Sequence, residues 1–230
     1  MPPLYFPSPT ESTPDGLVAV GGDLRPEQLL DAYRHGIFPW PVAGDLAEDE
    51  PMLWWSPDPR AILPLDGLHV SRRLRRRIRA GQFQATCDQA FDEVIQSCAV
   101  GPGREEGTWL TEEMIEAYTE LYRLGHAHSV EVWHAGRLAG GTYGVAIGGV
   151  FAAESMFYRV RDASKTAIVH LAAHLAARGY RLLDIQQWTP HTGRLGAIEI
   201  SRDQYLDRLE QYVDLPITFG HALAGNLDTI

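Results

Sequence analysis

Three apolar segments joined by very short turns most constrain what this chain can fold into. HSVEVWH (128–134), LAGGTYGVAI (138–147) and VFAAESMFY (150–158) are separated only by AGR and by Gly148-Gly149. Segments of this length and composition, closed by glycine turns, read as consecutive strands of one meander. A helix follows from Ser164 to Arg178, with Ile168, Leu171, Ala172 and Leu175 on one face and Gly179 as its stop. YRLLDIQQ (180–187) is then a further strand. Strand side chains alternate faces, so Glu154 shares a face with Ala152 and Met156. A carboxylate among such neighbours must reach water or a partner, because an unpaired buried charge is very costly.

Adjacent strands, a helix and another strand resemble the N-acyltransferase fold that acetyltransferases share. We therefore expect an α+β protein: a small N-terminal domain, residues 1–62, and a larger acyltransferase-like (GNAT-type) α/β domain with a mixed sheet, residues 63–230. The first part is rich in Pro, Gly and aromatics. Residues 25–36 make a short helix with Pro26 in its first turn and Gly36 as its stop. IFPWP (37–41) and LWWSPDPR (53–60) are extended, and ILPLDG reads as a linker. Beyond it come a basic helix near 70–80, a strand at 83–87, and helices at 91–99, 111–124 and 201–213. Acetyltransferases hold the pyrophosphate of coenzyme A on a Gly-rich RxxGxG/A turn at a helix N-terminus. The nearest approach here, RLAGGT (137–142), falls in a hairpin, so the acyl donor need not be coenzyme A.

Charge is distributed unevenly. The formal net charge is −10, yet RRLRRRIR (72–79) gathers Arg72, Arg73, Arg75, Arg76, Arg77 and Arg79 on one short segment. A basic block on an acidic protein is a local footprint for phosphate; the alternative is a solvated helix face balancing acids elsewhere. No apolar run reaches the ~18 residues that span a bilayer, and the N-terminus lacks a basic start and apolar core. We expect a soluble, cytoplasmic protein with no membrane partner. Cys87 and Cys98 form no CxxC pair.

Two polar groups stand out on the strand LLDIQQ. Asp184 and Gln186 are two residues apart, face the same way, and are suited to orient an amine or a carbonyl; the alternative is a strand-end pair capping a turn. Glu154 is either a third member of that cleft or the partner of Arg159 or Arg161. Trp40, Trp54, Trp55 and Trp109 suit base stacking or, more commonly, packing. His170 and His174 lie one helical turn apart without the glutamate and third ligand of a zinc motif, and read as structural.

FPSP (6–9), GLVAVGGDL (16–24), AYRHGIFPW (32–40), LWWSPDPRAIL (53–63), HVSRRLRR (69–76), AESMF (153–157), ASKTA (163–167), LLDIQ (182–186) and RLGAIEISR (194–202) together resemble the leucyl/phenylalanyl-tRNA–protein transferase family. The resemblance implies transfer of Leu or Phe, and Met less well, from aminoacyl-tRNA to proteins beginning with Arg or Lys, marking them for degradation. It implies a monomer that needs no cofactor or metal, because the aminoacyl ester is already activated. It gives Asp184 and Gln186 the task of holding the incoming α-amine and drawing off its proton, and Glu154 a place in the polar network around the ester. Phe151, Met156, Leu171, Leu175 and Leu183 would line the side-chain pocket. Trp40 and Trp109 would stack near the terminal adenosine, and the arginine helix would touch the tRNA backbone.

Three residues depart from that pattern. Simple alternation separates Phe151 from Met156 unless a bulge intervenes; Thr142 stands where a larger apolar residue is common; Ala153 replaces a glycine. Rival readings are a coenzyme A-dependent N-acetyltransferase and a non-catalytic binder of tRNA ends or basic N-termini.

Overall fold

The computed structural model describes residues 2–41, 51–100, 110–225 and 227. Its first part is a three-stranded antiparallel sheet of β1 (Leu17–Val20), β2 (Phe38–Pro39) and β3 (Leu53–Trp55), in the order β1-β3-β2, with α1 (Pro26–Arg34) between β1 and β2. Pro26 opens α1 and Gly36, at φ 75°, lets the chain turn directly into β2. Trp54 is fully buried beside Phe6 and donates its indole N–H to Gly21 O at 2.8 Å; Trp55 donates to Trp40 O at 2.7 Å. These two tryptophans are packing residues.

The linker expected at ILPLDG (62–67) is preceded by a strand that ends on its first residue. β4 (Arg60–Ile62) lies within the large sheet, paired with β10 (Ile198–Ile200) on one side and β9 (Leu182–Gln186) on the other. Its partners are far away in sequence, and the flanking prolines Pro59 and Pro64 disguise it as a loop. The rest of the large sheet is β5 (Gln84–Cys87), β6 (Ala127–His134), β7 (Arg137–Ile147) and β8 (Val150–Tyr158), in the order β10-β4-β9-β8-β7-β6-β5. Only the β8–β9 junction is parallel. It is the one that needs a crossover, and α5 (Ala163–Arg178) supplies it. The sheet is mixed, as expected. At the β7–β8 turn, a Cβ on Gly148 would stand 2.1 Å from Val213 O, so only glycine fits.

Helices cover both faces. α5 packs on one, with Phe151, Ala139, Leu171, Leu175 and Leu183 in a shared core. On the other lie α3 (Phe91–Val100) and α4 (Glu112–Arg123), packed with Tyr143, Val145, Ala152 and Phe157. α2 (Arg72–Arg79) lies on α5, α6 (Pro190–Gly193) follows β9, and α7 (Arg202–Tyr212) packs near it. Ser71, Thr111 and Ser201 each cap the N-terminus of the helix that follows, at α2, α4 and α7.

Strand β8 is interrupted at one place. Tyr143 pairs with Ser155 but the next residue, Gly144, pairs with Ala153, so Glu154 is the extra residue of a bulge. The bulge reverses the alternation beyond it. Phe151, Ala153 and Met156 therefore all belong to the α5 face, while Ala152 and Phe157 belong to the other. The expected sharing of a face by Ala152 and Met156 is corrected by this extra residue. Opposite it, a Cβ on Gly144 would meet Ala152 O at 2.1 Å, so the crowding there demands glycine.

Candidate active site

A cavity of about 330 Å³ opens where the small sheet meets β8 and β9. Phe38, Pro39 and Trp40 form one wall; Ala153, Glu154, Ser155 and Met156 form the floor; Ile185, Gln186 and Gln187 form the opposite wall. Leu63, Ile168 and Leu195 add apolar lining, and Thr142 lines it too. The bulge explains why four successive residues of one strand all reach it. Thr142 donates its hydroxyl to Ser155 O at 2.9 Å, which leaves its methyl as the surface it offers.

Glu154 and Gln186 meet at the cavity. The Gln186 amide donates to Glu154 Oε1 at 2.9 Å, and the Tyr118 hydroxyl donates to Glu154 Oε2 at 3.2 Å. Tyr33 of α1 stands 2.6 Å from the Tyr118 hydroxyl. Burial pushes the Glu154 carboxyl up to about 8. The Tyr33 and Tyr118 hydroxyls and the Arg60 charge oppose that rise, and the Asp184 charge adds to it. Burial, and then the neighbouring Glu154 charge, holds both tyrosines well above the usual phenol range, so they stay neutral donors. The arginine partners expected for Glu154 are elsewhere: Arg159 pairs with Glu93 and Ser97.

Asp184 is different. It is 1% exposed and does not line the cavity. Arg60 Nε donates to its Oδ1 at 2.9 Å and Arg60 Nη2 to its Oδ2 at 2.6 Å. The Tyr205 hydroxyl donates to Oδ2 at 2.9 Å, and the Gln186 backbone N–H to Oδ1 at 3.0 Å. With both oxygens doubly occupied, Asp184 stands behind the cavity wall rather than in it. What it does hold is Gln186, whose φ of 56° is a left-handed conformation that glutamine adopts rarely. Burial works against the charge on Arg60, but Asp184, Tyr205 and Glu154 together hold the guanidinium above its ordinary value.

Other expected site residues divide. Trp40 and Met156 line the cavity. Phe151, Leu171, Leu175 and Leu183 do not: each is at most 1% exposed, in the core beneath α5. Ile168, one turn earlier on α5, reaches the cavity in their place, as does Ile185, the β9 neighbour that faces outward from Asp184. Trp109 lies outside the described residues. On α2, Arg72, Arg73, Arg76 and Arg79 are exposed, and Arg75 and Arg77 half-buried. Arg77 is spent on structure, donating to Asp162 at 2.7 Å and to Arg161 O at 2.9 Å while lying over the Phe83 ring. His174 is structural: its ring nitrogens bond Phe219 O and Ala224 N, each at 2.9 Å. No group of three metal-ligating side chains occurs among the described residues, and no described helix is long and apolar enough to cross a membrane.

Sequence reasoning missed Tyr33, Tyr118, Arg60 and Tyr205. Tyr118 lay in a segment read only as a helix, 111–124. Arg60 had a signal: a single cation set against the apolar run AIL.

Comparison with known proteins gives a consistent result. The family model described as leucyl/phenylalanyl-tRNA protein transferase matches residues 62–210, and the model of its N-terminal domain matches residues 22–58. A protein from Nitratidesulfovibrio vulgaris (strain DP4) with the name leucyl/phenylalanyl-tRNA–protein transferase is 53% identical over 94% of this chain and 90% of its own. One of the same name from Chromohalobacter salexigens is 55% identical over 89% of this chain and 78% of its own.

Proposed function

The chain belongs to the leucyl/phenylalanyl-tRNA–protein transferase family, and on that premise we propose that the cavity receives the aminoacyl end of a charged tRNA, with Glu154 taking the proton of the incoming amine. The protein is an aminoacyltransferase, moving an aminoacyl group from tRNA to a protein acceptor. The observation that carries the site assignment is the Glu154–Gln186 pair in a mainly apolar cavity that also takes in Ser155, Gln187, Thr189 and Thr192.

The chemistry asks for little more. An α-ammonium must lose a proton before its nitrogen can attack the ester carbonyl. Glu154, at about 8, is matched to an α-amine of ordinary pKa near 8 and exchanges that proton with little penalty. The nitrogen then bonds to the carbonyl carbon, the carbon–oxygen bond to the ribose breaks, and the second amine proton ends on the departing ribose oxygen. Free tRNA and a peptide bond result, and Glu154 returns its proton to water. The side-chain oxygen of Gln186 accepts from the amine while its NH₂ stays on Glu154. Holding amine and ester together is the main task, and such positioning removes roughly 7–11 kcal/mol of barrier. Asp184 acts behind Gln186, as its anchor.

The finer assignments are part of the same proposal. Leu and Phe, and Met less well, suit the apolar lining of Thr142, Met156, Ile168, Ile185 and Leu195. Acceptors begin with Arg or Lys, and the residue added to them marks them for degradation. Trp40 borders the terminal adenosine, and the exposed arginines of α2 meet the tRNA backbone. The protein works as a monomer in the cytoplasm, with a division of roles near residue 62 between a small N-terminal domain and the catalytic one. RLAGGT lies in the β6–β7 hairpin, which favours this reading over coenzyme A chemistry.

Labelled Leu-tRNA mixed with two peptides, one starting with Arg and one with Ala, tests the whole reading by mass. A Leu-sized gain on the Arg peptide alone is the expected result. Gain on neither removes the proposal, and equal gain on both removes the acceptor assignment.

A further inference from the structure

Arg60 lies behind the cavity without lining it, against Phe38 of one wall and Asp184 behind the other. Its Nε and Nη2 hold both oxygens of Asp184, and its Nη1 donates to Gly36 O at 3.0 Å, just ahead of the Phe38–Trp40 wall. Its guanidinium lies between two rings, 4.7 Å from the Phe38 centroid and 4.4 Å from that of Tyr205. It is 1% exposed. Strand β4 aims it there, with Ile62 paired to Asp184 and Arg60 itself to Ile200.

We infer that Arg60 is a positioning residue for the transfer reaction, one that fixes Gln186 through Asp184 and ties it to the Phe38–Trp40 wall. The chain of contacts is direct. Arg60 aligns the Asp184 carboxylate, Asp184 Oδ1 takes the Gln186 backbone N–H, and the Gln186 side chain holds Glu154. Gln186 sits at a positive φ, which persists only where surroundings enforce it. A planar fork can align a carboxylate in this way; a point charge cannot. Arg60 also offsets the Asp184 charge beside Glu154. The other groups facing Glu154 are Tyr33 from α1 and Tyr118 from α4, both neutral.

The inference rests on the transfer reading above. The test measures single-turnover Leu transfer to the Arg peptide per folded molecule, with folding checked by denaturant melts. The Glu154 midpoint is followed by NMR of isotope-labelled glutamate carboxyls. For Arg60→Lys we expect a rate about 10-fold or more below wild type with the Glu154 midpoint unmoved, since the charge stays and the fork is lost. For Arg60→Met we expect about 100-fold loss and a midpoint raised by about one unit, since the Asp184 charge is no longer offset. Tyr205→Phe should lose about 3-fold. A purely structural residue would change the folded fraction and leave the rate per folded molecule and the midpoint alone. If Arg60→Met fails to fold, Arg60→Lys decides. A wild-type rate in folded Arg60→Lys overturns the proposal alone. A wild-type chain that transfers nothing overturns the transfer reading and the proposal with it.

Discussion

Two carboxylates of neighbouring strands, Glu154 and Asp184, live in opposite surroundings. Asp184 is sealed, with a guanidinium, a phenol and a backbone amide on its oxygens. Glu154 sits at the edge of a cavity, held only by neutral donors, and its carboxyl is pushed up to about 8. The first is locked in place by its partners and serves as structure; the second has a carboxyl raised toward neutrality and serves as chemistry. The difference comes from partners rather than residue type, which is the usual way a fold assigns two acids two tasks.

Removing the sealed acid should have the largest effect. Asp184→Ala leaves Arg60 buried without a counter-charge, and breaking such a pair costs about 3–5 kcal/mol. We expect a denaturant melt to show that loss, and transfer to fall because Gln186 is no longer held. An Asp184→Ala protein of wild-type stability would break the contrast between the two acids.

Glu154→Gln should do the reverse. Transfer falls about 100-fold, within the usual range for losing a proton acceptor. Stability at alkaline pH rises. The sign follows from the raised carboxyl: ionising it in the fold is costly, so the wild type loses stability as pH climbs from the ordinary carboxylate value, 4.5, through about 8. The glutamine variant has no such loss and should be roughly 5 kcal/mol the more stable at pH above that range, with little difference in acid. Melts at acid and alkaline pH check this. Equal pH dependence in both proteins would place the titration elsewhere.

How much of this was legible in the sequence depended on the range of the contact involved. The meander, its glycine turns and the α5 crossover are local patterns, and they appear where periodicity placed them. β4 was unreadable because its pairing partners, Asp184 and Glu199 among them, are far along the chain. The bulge was visible only as a conflict, since Phe151 and Met156 could not otherwise share a face. Glu154 and Gln186 were legible as polar exceptions in apolar stretches and Trp40 as one of several tryptophans, whereas Met156 entered only through the family resemblance. The pocket leucines were not: alternation and helical spacing say which residues are buried, not which of the buried ones border a void.

The apolar part of the cavity gives a smaller effect. Thr142 presents a short side chain to the cavity and pairs with Met156, so Thr142→Met fills space beside it. We expect the ratio of Phe to Leu transfer to drop by about 10-fold, the scale on which a hydrophobic pocket discriminates size. Neither the Glu154 midpoint nor the stability cost of Asp184→Ala should move. A preference unchanged by methionine would remove Thr142 from the side-chain pocket.

The smallest effect should come from the surface farthest from both acids in chemistry. Arg76 on α2 is exposed, whereas Arg77 is committed to Asp162. If the helix meets the tRNA backbone, Arg76→Glu weakens aminoacyl-tRNA binding about 3–10-fold and flattens its salt dependence by about one phosphate contact. Arg77→Glu would instead repel Asp162 and loosen the turn into α5, so it should show as lost stability. Both variants should keep the wild-type titration of Glu154, because neither arginine is among the groups that act on it. An unchanged salt slope in Arg76→Glu would take α2 out of the tRNA footprint and leave its arginines as a solvated face. A shifted Glu154 midpoint in either variant would mean that the open acid feels charge well beyond its own neighbours, and the contrast with Asp184 would then be one of degree.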